Sequence, residues 1–400
     1  MKKFHLILAS ALLGTTGGLN SIAQEVAQES PAKNSYSFKF TPQARLLLDG
    51  AVFAPNKNDF SDGIYIPDAR IGATATYGPL SMTLSVGYFM GKFKLMDSYF
   101  QWKPNPYNSF KLGHFINQFG LNAATSSSRK ATLIAPISDT FFSATPYNFG
   151  LNYIYAREEF FAGASIFTPA TSLSEQPMLQ GKISVGGMER FAWRPFRSTG
   201  KIAQIGFSSS YQSPEHKAEK NDDGQTVTSQ GFFNYSANFP TKVNSISLLK
   251  APVTHAKGVV KLSPEILLSK DRFALEGQYY FMNVDRGHGF GSYKAQGAYG
   301  LLRALLIGER EYTYSSDKAY INYPTSKTLE CILGYDYTNA SDRHSGIMGG
   351  ISNDWSVTFN YYLNKYFNAQ LRYSYTDVRA SEYVTKKHEN IIQARLIFIY

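Results

Sequence analysis

From residue 69 to residue 88 the chain alternates with a period of two. Ala69, Ile71, Ala73, Ala75 and Tyr77 share one side, with Arg70, Gly72, Thr74 and Thr76 on the other. A Gly78-Pro79 turn follows, after which Leu80, Met82, Leu84, Val86 and Tyr88 alternate with Ser81, Thr83, Ser85 and Gly87. Successive side chains of a strand point to opposite faces, so this stretch is an antiparallel hairpin with one apolar face. The pattern returns near the end of the chain. Trp355, Val357, Phe359, Tyr361 and Leu363 oppose Ser356, Thr358, Asn360 and Tyr362, and Phe367, Ala369, Leu371, Tyr373 and Tyr375 oppose Asn368, Gln370, Arg372, Ser374 and Thr376. In the last strand, residues 390–400, Ile392, Ala394, Leu396, Phe398 and Tyr400 form a continuous apolar face, while Gln393 and Arg395 stand in mid-strand on the other. A sheet packed on both sides would have to pair those two at some cost, whereas a water-filled lumen solvates them. The pattern predicts an all-β fold, a transmembrane antiparallel β-barrel. It leaves open the terminal strand of a soluble sandwich.

Further strands are expected at 96–103, 111–115, 149–155, 160–167, 202–211, 233–239 and 273–281, with Met96 sharing a face with Ser98, Phe100 and Trp102. Alternation lapses over residues 126–148, rich in Ser, Thr and Pro, and connections that long are commonly functional. Residues 168–201 are less regular, and 213–228, containing HKAEKNDDGQ, reads as a solvated loop. With strands of about 9 to 11 residues, the chain from residue 24 onward holds roughly 14 to 18 of them, and 16 strands are expected. Barrels of that size enclose an aqueous channel, while eight-stranded ones are filled by side chains. Size thus points to transport.

The first residues add the destination. Lys2 and Lys3, an apolar run over residues 4–14, and small residues at Ser21 and Ala23 read as a secretory signal peptide over residues 1–23. Residues 24–35 are then a polar leader, and residues 36–400 the barrel. No later run has the 18 or so consecutive apolar residues of a spanning helix. The single Cys331 excludes an internal disulfide framework, and its apolar neighbours make it an outward small hydrophobe. Aromatic residues make up 15% of the chain, 28 of them Tyr, which suits interfacial girdles on a barrel whose other face is polar. The formal charge of +10, less the two lysines of the signal, favours anionic solutes or membrane surfaces. Export argues against nucleic acid.

Several segments, in order, resemble the phosphate-selective porin family, that of porins O and P. They are ARLLLDGAVF at 44–53, DARIGATATYGPL at 68–80, KLMDSYFQW at 94–102, KLGHFINQFGLNAATSSS at 111–128, LEGQYY at 275–280, YKAQGAYGLLRALLIGEREY at 293–312 and FNYYLNKYFNAQLRYSY at 359–375. The resemblance implies a 16-stranded outer-membrane barrel of a Gram-negative bacterium, a homotrimer, and a third extracellular loop folded inward as a constriction. That loop would be residues 126–148, with Arg129 and Lys130 at the narrowest point. Arg45, Arg70 and Arg372 match basic residues lining the path of anions, and Arg395 joins them by parity alone. Where the family tends to place Lys and then Glu, this chain has His114, Asn117, Gln118 and Asn122, and Glu276, Glu330 and Asp336 are expected inward.

The reading is a passive channel for small hydrophilic solutes with an anion preference. Its partners are outer-membrane lipid, small anions and the barrel assembly machinery, which would read Phe398 and Tyr400. The alternative is a barrel acting as an adhesin or binding protein through its loops. An enzyme would need a nucleophile–base constellation, and none of His216, His255, His288 and His344 has a partner at triad spacing. No cluster has zinc-ligand spacing. RGHGFG at 286–291 lies between strands with no helix following, so it reads as a turn and not a phosphate cradle. No cofactor is expected.

Overall fold

The computed structural model describes residues 36–54, 60–89, 92–123, 125–143, 147–169, 183–216, 218–220, 223, 225–228, 230–287, 289–385 and 387–400. The expected signal peptide and leader, residues 1–35, lie outside the described residues. The strands in chain order are β1 (Phe38–Ala54), β2 (Gly63–Tyr77), β3 (Leu80–Phe89), β4 (Lys92–Asn105), β5 (Asn108–Ile116), β6 (Tyr147–Arg157), β7 (Phe160–Pro169), β8 (Gly186–Ser198) and β9 (Lys201–Gln212). There follow β10 (Ala218–Lys220), β11 (Thr226–Thr228), β12 (Phe232–Asn238), β13 (Ser247–Thr254), β14 (Ala256–Lys270), β15 (Phe273–Arg286) and β16 (Tyr293–Ile307). Last come β17 (Tyr314–Ser315), β18 (Tyr320–Ile321), β19 (Thr328–Asp342), β20 (Ile347–Tyr362), β21 (Phe367–Ser381) and β22 (Lys387–Ile399). Two short helices, α1 (Gly120–Ala123) and α2 (Ile137–Phe142), sit in the β5–β6 connection.

Sixteen of these strands close into one antiparallel barrel, in the order β1 to β9, β14, β15, β16, β19, β20, β21, β22. The seam pairs β1 with β22 from Arg45↔Ile399 to Ala54↔Asn390. The C-terminal residue extends it: Tyr400 N–H donates to Ala44 O at 2.8 Å, and Ala44 N–H to Tyr400 O at 3.1 Å. Tyr400 also stacks on Tyr366, and Phe398 lies 5.1 Å from Phe367. Except near Met96, the period-two faces named from the sequence are as predicted. Ile71, Leu84, Trp355, Leu371, Ile392 and Leu396 face outward, whereas Gln370, Arg372, Ser374 and Thr376 are buried inward.

The expected parity of Met96 is wrong. The β3–β4 register shifts between Leu84 and Val86, so Leu95 pairs with Val86 and Ser98 with Leu84. One extra residue turns Met96 inward, and Leu95 takes the lipid face. Residues 168–201, which looked irregular, contain wall strand β8; its register shifts between Trp193 and Phe196, so that both face outward and the period of two is broken. The run at 233–239, which repeats the alternation of the wall strands, belongs to the β12–β13 hairpin, outside the wall.

That hairpin folds into the lumen and packs on β19 to β21. Phe233, Tyr235, Ala237 and Phe239 of β12 and its turn join Leu248, Leu249, Ala251 and Val253 of β13 in a buried apolar core with Phe141 and Phe142 of α2. From the other end, residues 308–327 between β16 and β19 fold inward among the short turns. Gly200 N–H donates to Tyr312 O and Tyr312 N–H to Asp271 O, tying this segment to the β8–β9 and β14–β15 turns. The expectation of a lumenal face solvated throughout therefore holds only in part: opposite β1 to β7, the lumen is packed with the protein's own chain.

Leu371 is half exposed on the lipid face, at a position opposite Ala394 and Phe359. Leu371→Arg is expected to destabilise the barrel by about 2–4 kcal/mol if it lies near the midplane. Urea unfolding in phospholipid vesicles measures it, and an unchanged midpoint would refute the outward assignment.

Candidate functional site

A passage with a cavity volume of about 1190 Å³ runs along the β1–β7 side, bordered by Ser143 and Gln212 towards the long loops and by Lys103, Thr325, Lys365 and Tyr400 towards the short turns. The β5–β6 connection shapes it. It leaves β5, crosses the lumen, and meets β9 and β15, where Gly120 N–H donates to Ser208 Oγ at 3.0 Å and Leu121 N–H to Gln278 Oε1 at 3.0 Å. Gly120 has φ of +79°, and a Cβ there would stand 1.7 Å from Gln278 Nε2, so only glycine fits this crossing. The segment then returns to β1 and β2: Arg45 donates to Ser126 Oγ at 2.6 Å and Ser128 Oγ at 3.2 Å, and Ser127 Oγ donates to Asp68. It circles back along the far wall. Asn360 and Arg395 donate to the carbonyls of Ala131 and Leu133, Ser138 to the Asp336 carboxylate, Tyr280 to Asp139, and Lys261 to Phe142 O.

Arg45 and Arg70 border the passage in an alternating ladder with carboxylates. Arg45 pairs with Asp68 at 2.5 Å, and Arg70 with Asp68 at 3.2 Å and Asp97 at 3.4 Å; Tyr147 Oη accepts from Arg70 at 2.7 Å. Two carboxylates thus offset two guanidinium groups. The excess charge lies elsewhere. Eleven basic side chains line the passage against four acidic ones, so its field is positive.

Three of those cations come from three different elements. Arg129, in the turn Ser127–Arg129, has its guanidinium carbon 4.5 Å over the ring of Tyr323. Lys111 on β5 has Nζ 4.6 Å from the ring centre of Tyr99. Lys318 comes from the inward segment between β16 and β19. Burial, chiefly, holds the Lys318 ammonium below its ordinary value; Arg129 and Lys111 repel it and add to the effect, while Asp317 opposes them. Arg129, Lys111, Lys318 and Asp317 all border the passage, and Lys318 lies within electrostatic reach of the other three.

The remaining residues singled out from sequence do other things. Lys130 also borders the passage, but its ammonium folds back onto the carbonyl and side-chain oxygens of Asn122. Burial, opposed by Asp139 and Glu276, lowers its pKa. It braces the loop. Arg372 does not border the passage; it pairs with Asp354 at 2.5 Å, donates to Ser374 Oγ at 2.8 Å, and reaches Pro240 O in the turn of the inward hairpin. Arg395 borders the passage as expected, but it grips Asp49 with two bonds, at 2.6 and 2.7 Å, and holds Leu133 O. Glu276 and Glu330 are inward but share Arg303, and they accept from Tyr320, Tyr312 and Tyr362. These charges anchor inserted segments.

Lys111, Lys318, Asp97 and Tyr323 escaped the sequence reading. Lys111 was legible by parity, since Leu112 beside it faces lipid. For Lys318 the only hint was the density of Tyr in 312–323, too aromatic for a turn left in water.

A closed sixteen-stranded barrel with an inward-folded loop beside a lumenal passage defines the class: the molecule is an outer-membrane porin, a channel. The family model described as phosphate-selective porin O and P matches residues 55–400, and the chain belongs to that family. Among solved structures, it is similar to OmpT, an outer membrane protein of Vibrio cholerae in its trimer form, with a TM-score of 0.57 and 10% identity over 91% of this chain and 100% of that one. An anion-selective porin from Comamonas acidovorans also gives 0.57, at 12% identity over 91% and 100%. OprB of Pseudomonas putida gives 0.51, at 8% over 96% and 97%. No curated protein matches the chain by sequence.

Removing the guanidinium of Arg372 leaves Asp354 buried without its counter-charge, which is expected to destabilise by about 3–5 kcal/mol. Arg372→Leu should lower the unfolding midpoint, and Arg372→Leu with Asp354→Leu should recover most of the loss. A double variant no better than the single one would show that the pair does not act as a unit.

Proposed function

We propose that this porin is a passive, anion-preferring channel of a Gram-negative outer membrane, without enzymatic activity. The observation that carries the proposal is that Arg129, Lys111 and Lys318 border one passage whose charged lining residues are mostly basic. Low-dielectric walls focus the field of these groups along the route, so they act where bulk screening over about 8 Å would otherwise mute them. Inorganic phosphate and chloride are both candidate solutes. The ladder of Arg45, Asp68, Arg70 and Asp97 is electrically balanced and orients the loop more than it attracts ions.

In planar bilayers under a salt gradient, the wild-type reversal potential should show anion preference. Arg129→Glu with Lys318→Glu should move it towards cation preference; Lys130 is left in place because it braces the loop. Since a lysine is cationic below its pKa and that of Lys318 is lowered, anion preference should decline with rising pH before the ~10.4 of an ordinary lysine. A double variant with the wild-type reversal potential would overturn the proposal.

The assembly we propose is a homotrimer meeting on the low side of the wall. Strands β3, β5 and β7 have 10, 9 and 10 residues, against 15 and 16 for β19 and β20. The outer face of that low side carries an apolar groove of about 380 Å³ lined by Met82, Phe100, Trp102, Phe110, Leu112 and Leu151. Leu151→Arg should yield monomers in mild detergent, while Leu371→Arg on the tall side should leave the oligomer intact. A wild-type protein that sediments as a monomer would exclude the trimer.

A further inference from the structure

Where the β5–β6 connection leaves the wall, the passage is bordered by polar atoms that no described residue satisfies. Asn117 is 3% exposed, and among the described residues neither its Nδ2 nor its Oδ1 has a hydrogen-bond partner. Gln118 Oε1 and Thr125 Oγ1 are also unpartnered. All three residues line the same cavity as Arg129, Lys111 and Lys318. Buried polar side chains in native proteins nearly always meet protein, ordered water or a ligand, so these three groups are available to water or solute in the passage.

Its chemistry differs from that of the cations. An amide offers donors and an acceptor, and a hydroxyl offers both. The carbonyl oxygens of Asn117 and Gln118 repel a bare oxyanion, yet they accept from a hydroxyl group. Such atoms discriminate a solute that reproduces the hydrogen bonds of displaced water from one that cannot.

We propose that Asn117, Gln118 and Thr125 form a subsite for the hydroxyl-bearing body of a small organic anion whose charged group rests near Arg129, Lys111 and Lys318. The solute class is then a hydroxylated organic phosphate or carboxylate, in preference to inorganic phosphate. This rests on the anion-channel reading above and adds the uncharged half of the solute to it.

The test uses the full barrel in planar bilayers, reading block of the chloride current by glycerol 3-phosphate and by inorganic phosphate. The wild type should be blocked by glycerol 3-phosphate at roughly tenfold lower concentration, the effect of one or two neutral hydrogen bonds. Asn117→Leu should abolish that difference and leave block by inorganic phosphate and the reversal potential unchanged. Thr125→Val, a smaller change, should narrow the difference and keeps the test open if the first variant does not fold. Equal block of the wild type by both solutes would overturn the subsite and show that water alone satisfies these groups. Parallel weakening of both blocks in Asn117→Leu would also overturn it, by showing a structural effect on the loop. Loss of anion preference in the wild type would instead refute the channel's selectivity.

Discussion

In hydrocarbon no water is present to satisfy a backbone amide or carbonyl, so every such group in the wall must find a partner within the sheet. An open sheet fails this requirement at its two edges, and closure removes them. Here closure depends on one ladder, ten register pairs between β1 and β22, finished by the reciprocal bonds of Ala44 and Tyr400. Everything else about the molecule is arranged around the ring that this ladder completes.

A ring of sixteen strands is wider than its side chains can fill. The chain fills the excess itself, from both ends. The β12–β13 hairpin descends from the long-loop side and residues 308–327 rise from the short-turn side, so that among the described residues the passage lies along the β1–β7 side. Charges buried on the inner wall hold these inserts. Arg190 donates to the carbonyls of Lys318 and Ala319 while paired with Glu265, and Arg303 bridges Glu276 and Glu330 beneath Tyr312 and Tyr320. Buried ion pairs contribute little net stability against apolar replacements, but once one partner is present the other is required. Such pairs fix where each insert docks, and the docking of residues 308–327 brings Lys318 within electrostatic reach of Arg129, which packs on Tyr323 of the same insert.

The wall was legible in the sequence because lipid and lumen impose opposite demands on alternate residues. Leu371 beside Arg372, and Ile71 beside Arg70, could be assigned without coordinates, as could the number of strands. The inserts were not legible for the same reason. Phe233, Tyr235 and Ala237 alternate as wall residues do, since a hairpin packed on the inner wall also has two unlike faces. Parity places Arg372 and Arg395 inward correctly, but it cannot tell a charge that meets water from one that meets Asp354 or Asp49. Nor can it see across the lumen. The proximity of Lys318 to Arg129 and Lys111 is created by tertiary folding between residues nearly 200 positions apart.

The seam has a kinetic consequence. The bridge from Asp49 to Arg395 joins residues 346 positions apart, and the first strand has no permanent neighbour on one side until the last has arrived. Contacts of such sequence separation are slow to form, and until they do the edges of β1 and β22 are open to other chains. The wall therefore cannot close until strands β1 and β22 are both present, and until then two open edges must be kept from other chains.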